Sequence, residues 1–216
     1  MLGERMILHT KQIICAAVVL LLSTLIASNS NCADWTPDRV ASLKVLASQG
    51  HPGAQSTLGL LYMKGKGVEQ DYHKAKEWLE KSVAQDEGSA QIFLGCLYYN
   101  GQGVRQNYHK ARELFEKAAA HQGDIKTQAE AQFLLGALYE EGAGVPRNLT
   151  TARTLYEKSA LQGNVRAQAT LGAYYEHGYG GVKRNLAIAK EWYGKACDNG
   201  FQTACDEYRR LNTGEK

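Results

Sequence analysis

The sequence predicts an all-α protein, an α/α solenoid (superhelix) of about four tandem helix-turn-helix repeats with a capping helix at each end. Three observations carry this. The stretch from Ala54, AQSTLGLLYMKGKGVEQDYHKAKEWLEKSV, recurs from Ala90, Ala131 and Ala167, at spacings of 36, 41 and 36 residues, and its first two copies match at 17 of 30 positions. A period of that size is the mark of a stacked repeat array. Within each copy the apolar residues fall at helical spacing on either side of a Gly-x-Gly turn. Finally, 22 Gly against 3 Pro suit helices whose reversals are made by glycine.

The chain divides as follows: residues 1–33 a signal segment, 34–53 an N-terminal capping helix, 54–89, 90–130, 131–166 and 167–203 the four repeats, and 204–216 a C-terminal capping helix and tail. Basic and polar residues (Arg5, His9, Lys11) precede the apolar run Ile13 to Ala27, and small polar residues follow it. That order describes a secretory signal with cleavage expected after Ala33; Met6 is an alternative start. A membrane-spanning helix needs about 20 apolar residues, more than this run supplies. The expectation is therefore a periplasmic or secreted protein, with no membrane attachment after cleavage. A net charge of +3 without a basic run gives no reason to expect nucleic acid.

After the signal, Thr36 and Pro37 start a helix, Val40, Leu43 and Leu46 or Ala47 give it an apolar stripe, and Gly50 ends it. In each repeat the first helix, A, runs from about Ala54 to Met63 with Leu58, Leu61 and Tyr62 on one face. Gly59, Gly95, Gly136 and Gly172 sit inside helix A although glycine costs about 1 kcal/mol there relative to alanine. Close approach of a partner helix explains that choice. The second helix, B, is capped by Asp71, Asn107, Asn148 or Asn185. In it Ala75, Trp78, Leu79 and Ser82 recur at i, i+3, i+4 and i+7, with Trp78 or Trp192 expected to fill the space between helices. The link HQGDIKTQAE between the second and third copies is five residues longer than the others, room for a longer helix or a protruding loop.

Beyond the signal remain Cys96, Cys197 and Cys205, an odd count that suggests one pair and one thiol. On one continuous helix Cys197 and Cys205 would lie about 12 Å apart, too far for a disulfide. The break at Asn199-Gly200 lets the chain fold back, so this pair is the expected disulfide, worth about 2–3 kcal/mol. Cys96 falls on a slot held elsewhere by Leu60, Ala137 and Ala173, and reads as a small helix-face residue.

The skeleton A-x-x-x-L-G-x-x-Y-x-x-G-x-G-V, followed by Asp or Asn and then A-x-x-[WL], resembles the Sel-1-like repeat family, a branch of the tetratricopeptide-type solenoids. Four copies over residues 54 to about 197 carry the resemblance, and half-repeats at 36–50 and 201–211 extend it. It implies an interaction scaffold, often exported in bacteria, without a conserved catalytic apparatus. Cysteines eight apart across a helix B to helix A junction are similar to those of cysteine-rich secreted members, where such pairs are disulfides. Here only the last junction carries such a pair, so dense stapling is not implied.

Some of those relatives are described as penicillin-binding or β-lactamase-like, which makes a weak β-lactam-binding or hydrolysing protein one alternative. Serine β-lactamase chemistry needs S-x-x-K with S-D-N and K-T-G, and the sequence contains none of them. His73 and His109 occupy one slot of adjacent repeats, about 10 Å apart, and cannot share a metal whose ligands sit about 2 Å away. They are expected on the solvent side of helix B. The Asn148-Leu-Thr150 sequon is explained by capping. Neither cofactor nor metal is expected, and the protein is read as non-enzymatic.

Function then lies where the copies differ. Helix A varies at Ser56, Leu60 and Met63; Ile92, Cys96 and Tyr99; Phe133, Ala137 and Glu140; Ala169, Ala173 and Glu176. By analogy with solenoids of this type, helix A lines the concave surface. Met63, Tyr99, Phe133, Glu140 and Glu176 are accordingly the candidate partner-binding residues, in a groove apolar at its N-terminal end and acidic toward its C-terminal end. Lys64, Asn100, Glu141 and His177 form its rim. The expected partner is an extended peptide or a helix of another protein. These positions could equally pack against the next helix A. A further alternative is a periplasmic immunity or regulatory protein.

Overall fold

The computed structural model describes residues 35–121 and 123–214; the expected signal segment, residues 1–33, lies outside them. The described residues form ten helices and no strand: α1 Pro37–Ser48, α2 Pro52–Lys64, α3 Tyr72–Val83, α4 Gly88–Asn100, α5 Tyr108–Ala120, α6 Ile125–Glu141, α7 Leu149–Leu161, α8 Val165–His177, α9 Leu186–Asp198 and α10 Gln202–Thr213. Helices α2, α4, α6 and α8 are the A helices of the four repeats, and α3, α5, α7 and α9 their B partners. A first compact unit ends at Ala118, in the last turn of α5, and a second begins at Ala119.

The helix A glycines are contact points. A Cβ built on Gly59 would lie 2.6 Å from Leu79 Cγ, and one on Gly95 would lie 2.5 Å from the Phe115 ring. In the second unit, Gly136 and Gly172 receive Tyr156 and Tyr193 in the same way, each at 2.6 Å. The residue that fills the space between A and B is therefore Leu79, Phe115, Tyr156 or Tyr193. The tryptophans do not fill it. Trp78 and Trp192 sit one position earlier, half-buried on the flank of their helices. Lys81 Nζ stands 4.2 Å over the Trp78 ring and Lys195 Nζ 4.4 Å over the Trp192 ring.

Each helix A ends on a glycine in the left-handed region, Gly65, Gly101, Gly142 or Gly178, with φ between 65° and 76°. The chain then returns, and the N–H of the next cap residue closes the turn on a helix A tyrosine. Asp71, Asn107, Asn148 and Asn185 donate to the carbonyls of Tyr62, Tyr98, Tyr139 and Tyr175 at 2.7–2.9 Å. The cap side chains meanwhile accept from the first-turn N–H groups, for example Asp71 Oδ1 from His73 and Lys74, each at 3.0 Å. One residue thus ends the turn and starts helix B. His73 and His109 follow their caps on the exposed side.

Successive repeats are joined by glutamine. Gln55 Nε2 reaches back to Ala47 O on α1, and Gln168 Nε2 to Ala160 O on α7, both at 3.1 Å. At the α3–α4 junction the left-handed residue is Asp86 (φ 59°), where the α1–α2, α7–α8 and α9–α10 junctions use Gly50, Gly163 and Gly200. Its carboxylate accepts from the buried Gln91 Nε2 at 2.7 Å. The longer link ahead of the third repeat extends a helix: α6 has 17 residues against 13 in α2, α4 and α8, and Asp124 caps it.

After the fourth repeat α10 takes the position of a further helix A. Ala204 takes the place of Ala54, which puts Arg209 on the slot of Gly59. The Arg209 side chain is 68% exposed and pairs with Asp206 at 3.3 Å. Cys197 and Cys205 are joined by a disulfide across the α9–α10 junction, with Cα atoms 4.6 Å apart.

Candidate functional site on the helix A face

Met63, Tyr99, Glu140 and Glu176 occupy one slot in the last turn of their helices, and Phe133 lies two turns earlier on α6. Four of the five are buried: Met63, Tyr99, Phe133 and Glu176 are 5–8% exposed, and Glu140 is half-buried. Their contacts are internal. In the first unit the Tyr99 ring meets Tyr108 edge-on, centroids 5.3 Å apart. On the variable positions at the start of α2 and α4, Ser56 Oγ and Ser89 Oγ are hydrogen-bonded at 2.8 Å, A helix to A helix.

In the second unit the glutamates turn inward. Tyr156 donates its hydroxyl to Glu140 Oε2 at 2.6 Å. Tyr193 donates to Glu176 Oε2 at 3.1 Å, and Glu176 Oε1 is paired with Arg210 of α10. The acidic end of the face is therefore engaged by phenols and an arginine. Burial raises the Glu140 carboxyl above the usual carboxylate range, and the Tyr156 hydrogen bond only partly opposes it. The same burial, followed by the neighbouring glutamate, pushes Tyr156 and Tyr193 upward.

Phe133 lies between two partners. Its ring is 5.4 Å from that of Tyr156, and the Arg166 guanidinium stands 4.6 Å over it. Arg166 also pairs with Glu130, both side chains about nine-tenths buried, and Asn164 Nδ2 donates to Glu130 at 3.0 Å. This ties α6 to the start of α8. From Phe133 the rings continue through Tyr156, Tyr174 and Tyr179 to His177, with centroid spacings of 5.4–5.9 Å.

The rim is the accessible part. Asn100 and His177 are exposed, while Lys64 and Glu141 are half-buried. Burial, with repulsion from Lys66, pushes the Lys64 amine down to about 8. Among the described residues no three His, Cys, Asp or Glu side chains are placed to hold a metal ion. No helix among them is long and apolar enough to cross a membrane.

The sequence reading passed over Tyr156, Tyr193 and Arg210. A signal for the tyrosines exists in the repeats. Aligned pairs on helices A and B read Met63 with Leu79, Tyr99 with Phe115, Glu140 with Tyr156 and Glu176 with Tyr193. A hydroxyl appears on B only where A ends in glutamate.

Antiparallel helix pairs closed by a Gly-x-Gly turn, stacked at a period near 36 residues, define a tetratricopeptide-like repeat protein. The chain belongs to the Sel1 repeat family: the Sel1 repeat model matches residues 52–87, 88–122, 129–164 and 165–201. It is similar in structure to a Sel1 repeat protein from Oxalobacter formigenes, 32% identical, over 79% of this chain and 67% of that one, with a TM-score of 0.71. A second similar structure is c5321, a protective antigen of uropathogenic Escherichia coli with an SLR fold. It is 35% identical over 88% of this chain, which spans 39% of that protein, with a TM-score of 0.68. A third is the immunity protein Pa5087 from Pseudomonas aeruginosa, 25% identical over 88% of this chain and 67% of that one, TM-score 0.57. No match was found among curated proteins. Sel1 repeat proteins are generally protein-interaction scaffolds.

Proposed function

We propose that this chain is an exported, non-catalytic scaffold that binds a peptide or a partner protein on the helix A face of its repeats. The observation that carries the reading is the contrast within each repeat. Residues shared by the copies are used in packing, whereas the last turn of helix A and the rim beside it change from copy to copy. In the first unit the partner touches the rim at Lys64 and Asn100 and the edges of Met63 and Tyr99 beneath it; in the second it touches Glu141 and His177 and the edges of Phe133, Glu140 and Glu176. The half-buried amine of the first unit and the exposed imidazole of the second each suit a carboxylate on a polar segment, and the exposed ring of Tyr179 offers the second unit an apolar contact. Export is supported by the signal-like N-terminal residues and by a disulfide, which persists in oxidising compartments.

The test uses the full chain as bait in a periplasmic extract, with captured proteins identified by mass spectrometry. Lys64→Glu combined with His177→Glu should lose the captured partner while the helical circular dichroism is unchanged. Capture equal to the parent's refutes the helix A face. Fractionation of cells carrying the tagged chain checks export, and nitrocefin should not be turned over by the purified protein.

The similarity to the immunity protein Pa5087 favours a second reading, in which the partner is a toxin delivered to the periplasm. Protection of a sensitised host by this chain, lost in the same double variant, distinguishes it.

A further inference from the structure

α10 lies where the A helix of a fifth repeat would lie. Of its twelve residues only Ala204 is buried, packed with Ala189, Tyr193 and Ala196 of α9. Phe201 and Leu211, with Ala169, Ala173 and Tyr175 of α8, pack partly buried against that cluster. Arg210 reaches from α10 to Glu176 on α8, and Glu207 holds its other side at 2.8 Å. Thus α10 covers Glu176, a variable helix A position of the fourth repeat, through Arg210, and the variable Ala169 and Ala173 lie partly buried against the same cluster. Little apolar surface holds it there. The other attachment is covalent, the half-buried disulfide from Cys197 of α9 to Cys205 in the first turn of α10.

We propose that α10 is a redox-released strap over the helix A face of the fourth repeat. Once freed, that face docks an amphipathic partner helix with a small residue at position i, arginine at i+6 and leucine at i+7. The proposal rests on the helix A face being the partner surface. The pattern is the one α10 itself presents with Ala204, Arg210 and Leu211, so the resident helix shows what that face accepts. Charge complementarity comes from Glu176, which loses Arg210 when α10 leaves. Release needs a dithiol. Its thiolate attacks one sulfur of the bridge to form a mixed disulfide, and its second thiol then displaces the protein sulfur. Two electrons pass to the protein, Cys197 and Cys205 end as thiols, and the reductant departs as its own disulfide.

Hydrogen exchange on the full-length chain tests release, comparing the oxidised protein, the same protein with dithiothreitol, and Cys197→Ser/Cys205→Ser without reductant. Amides of α10, and of α8 around Ala173, should exchange at least tenfold faster in the two disulfide-free states, while α2 to α4 stay unchanged. Unchanged exchange in α10 overturns the proposal. Docking is tested with a labelled synthetic peptide of residues 201–214 carrying Cys205→Ser. It should bind both disulfide-free states at least tenfold more tightly than the oxidised chain, and lose that binding with Arg210→Ala. Equal binding by the two peptides, or to oxidised and disulfide-free chains, also overturns it. The rim variants of the preceding section are assayed on oxidised protein, so the scaffold reading fails or stands separately.

Discussion

The hydroxyl of Tyr156 on α7 donates to Glu140 on α6 at 2.6 Å, the first of two such helix B to helix A pairs, the second being Tyr193 with Glu176. The pair binds the two helices of the third repeat beside the Gly136 contact. It also makes the repeat sensitive to pH. Burial raises the folded-state carboxyl of Glu140 above its unfolded value. Its contribution to stability is then fully present below the ordinary carboxylate range and is lost as pH rises through the raised value. Glu140→Gln keeps an acceptor for Tyr156 and removes the charge. It should melt higher than the parent at pH 7 and close to it at pH 4. A parent that is the more stable at pH 7 contradicts the assignment. Tyr156→Phe should lose about 1.5–3 kcal/mol at pH 7, because a half-buried carboxylate loses a hydroxyl donor.

Gly59→Ala and Gly194→Ala should behave oppositely. At Gly59 a Cβ meets Leu79 Cγ at 2.6 Å, inside a packed contact. Overpacking of about 1–3 kcal/mol exceeds the gain of about 1 kcal/mol in helix propensity. At Gly194 the nearest atom is at 3.3 Å, on the ring of Tyr208, which is 38% exposed and can move. That substitution should be neutral or stabilise by up to about 1 kcal/mol. Urea titrations of both variants decide the sign.

Asp86 is the only non-glycine residue with positive φ among the described residues, and its carboxylate accepts from the buried Gln91 Nε2. Asp86→Ala should cost about 2–3 kcal/mol, since alanine is strained there and Gln91 loses its acceptor. Asp86→Asn tolerates the backbone and keeps the acceptor, so its denaturation midpoint should stay near the parent's. Equal midpoints for the two variants would falsify this account.

The buried pair Arg166–Glu130 should respond to single and double substitution differently. Arg166→Ala strands Glu130 and should cost about 3–5 kcal/mol. Arg166→Met with Glu130→Leu removes both charges and keeps apolar cover for Phe133. Its melting temperature should recover most of the loss. A double variant as damaged as the single one contradicts the reading.

The scaffold was legible because the same packing problem is solved four times in one chain. Gly59 and its counterparts, the caps Asp71, Asn107, Asn148 and Asn185, and the turn glycines each answer to backbone geometry, which a sequence displays directly. The helix A face was legible only in part. Periodicity places Met63, Tyr99, Glu140 and Glu176 on one slot, but it does not say whether a neighbour already occupies that slot. Occupancy depends on side chains from other elements. Tyr156 sits 16 residues from Glu140 and Arg210 sits 34 from Glu176. Trp78 misled for a related reason: bulk suggested a filler, whereas the helix presents Leu79 to the glycine and leaves the indole to Lys81.

Arg209 changes what α10 offers to a neighbouring helix. Leu79, Phe115, Tyr156 and Tyr193 each need a bare backbone to rest on, and α10 offers a guanidinium stem in that place. A helix packed on α10 as those four pack on their glycines would need the Arg209 side chain displaced or a smaller residue in its place.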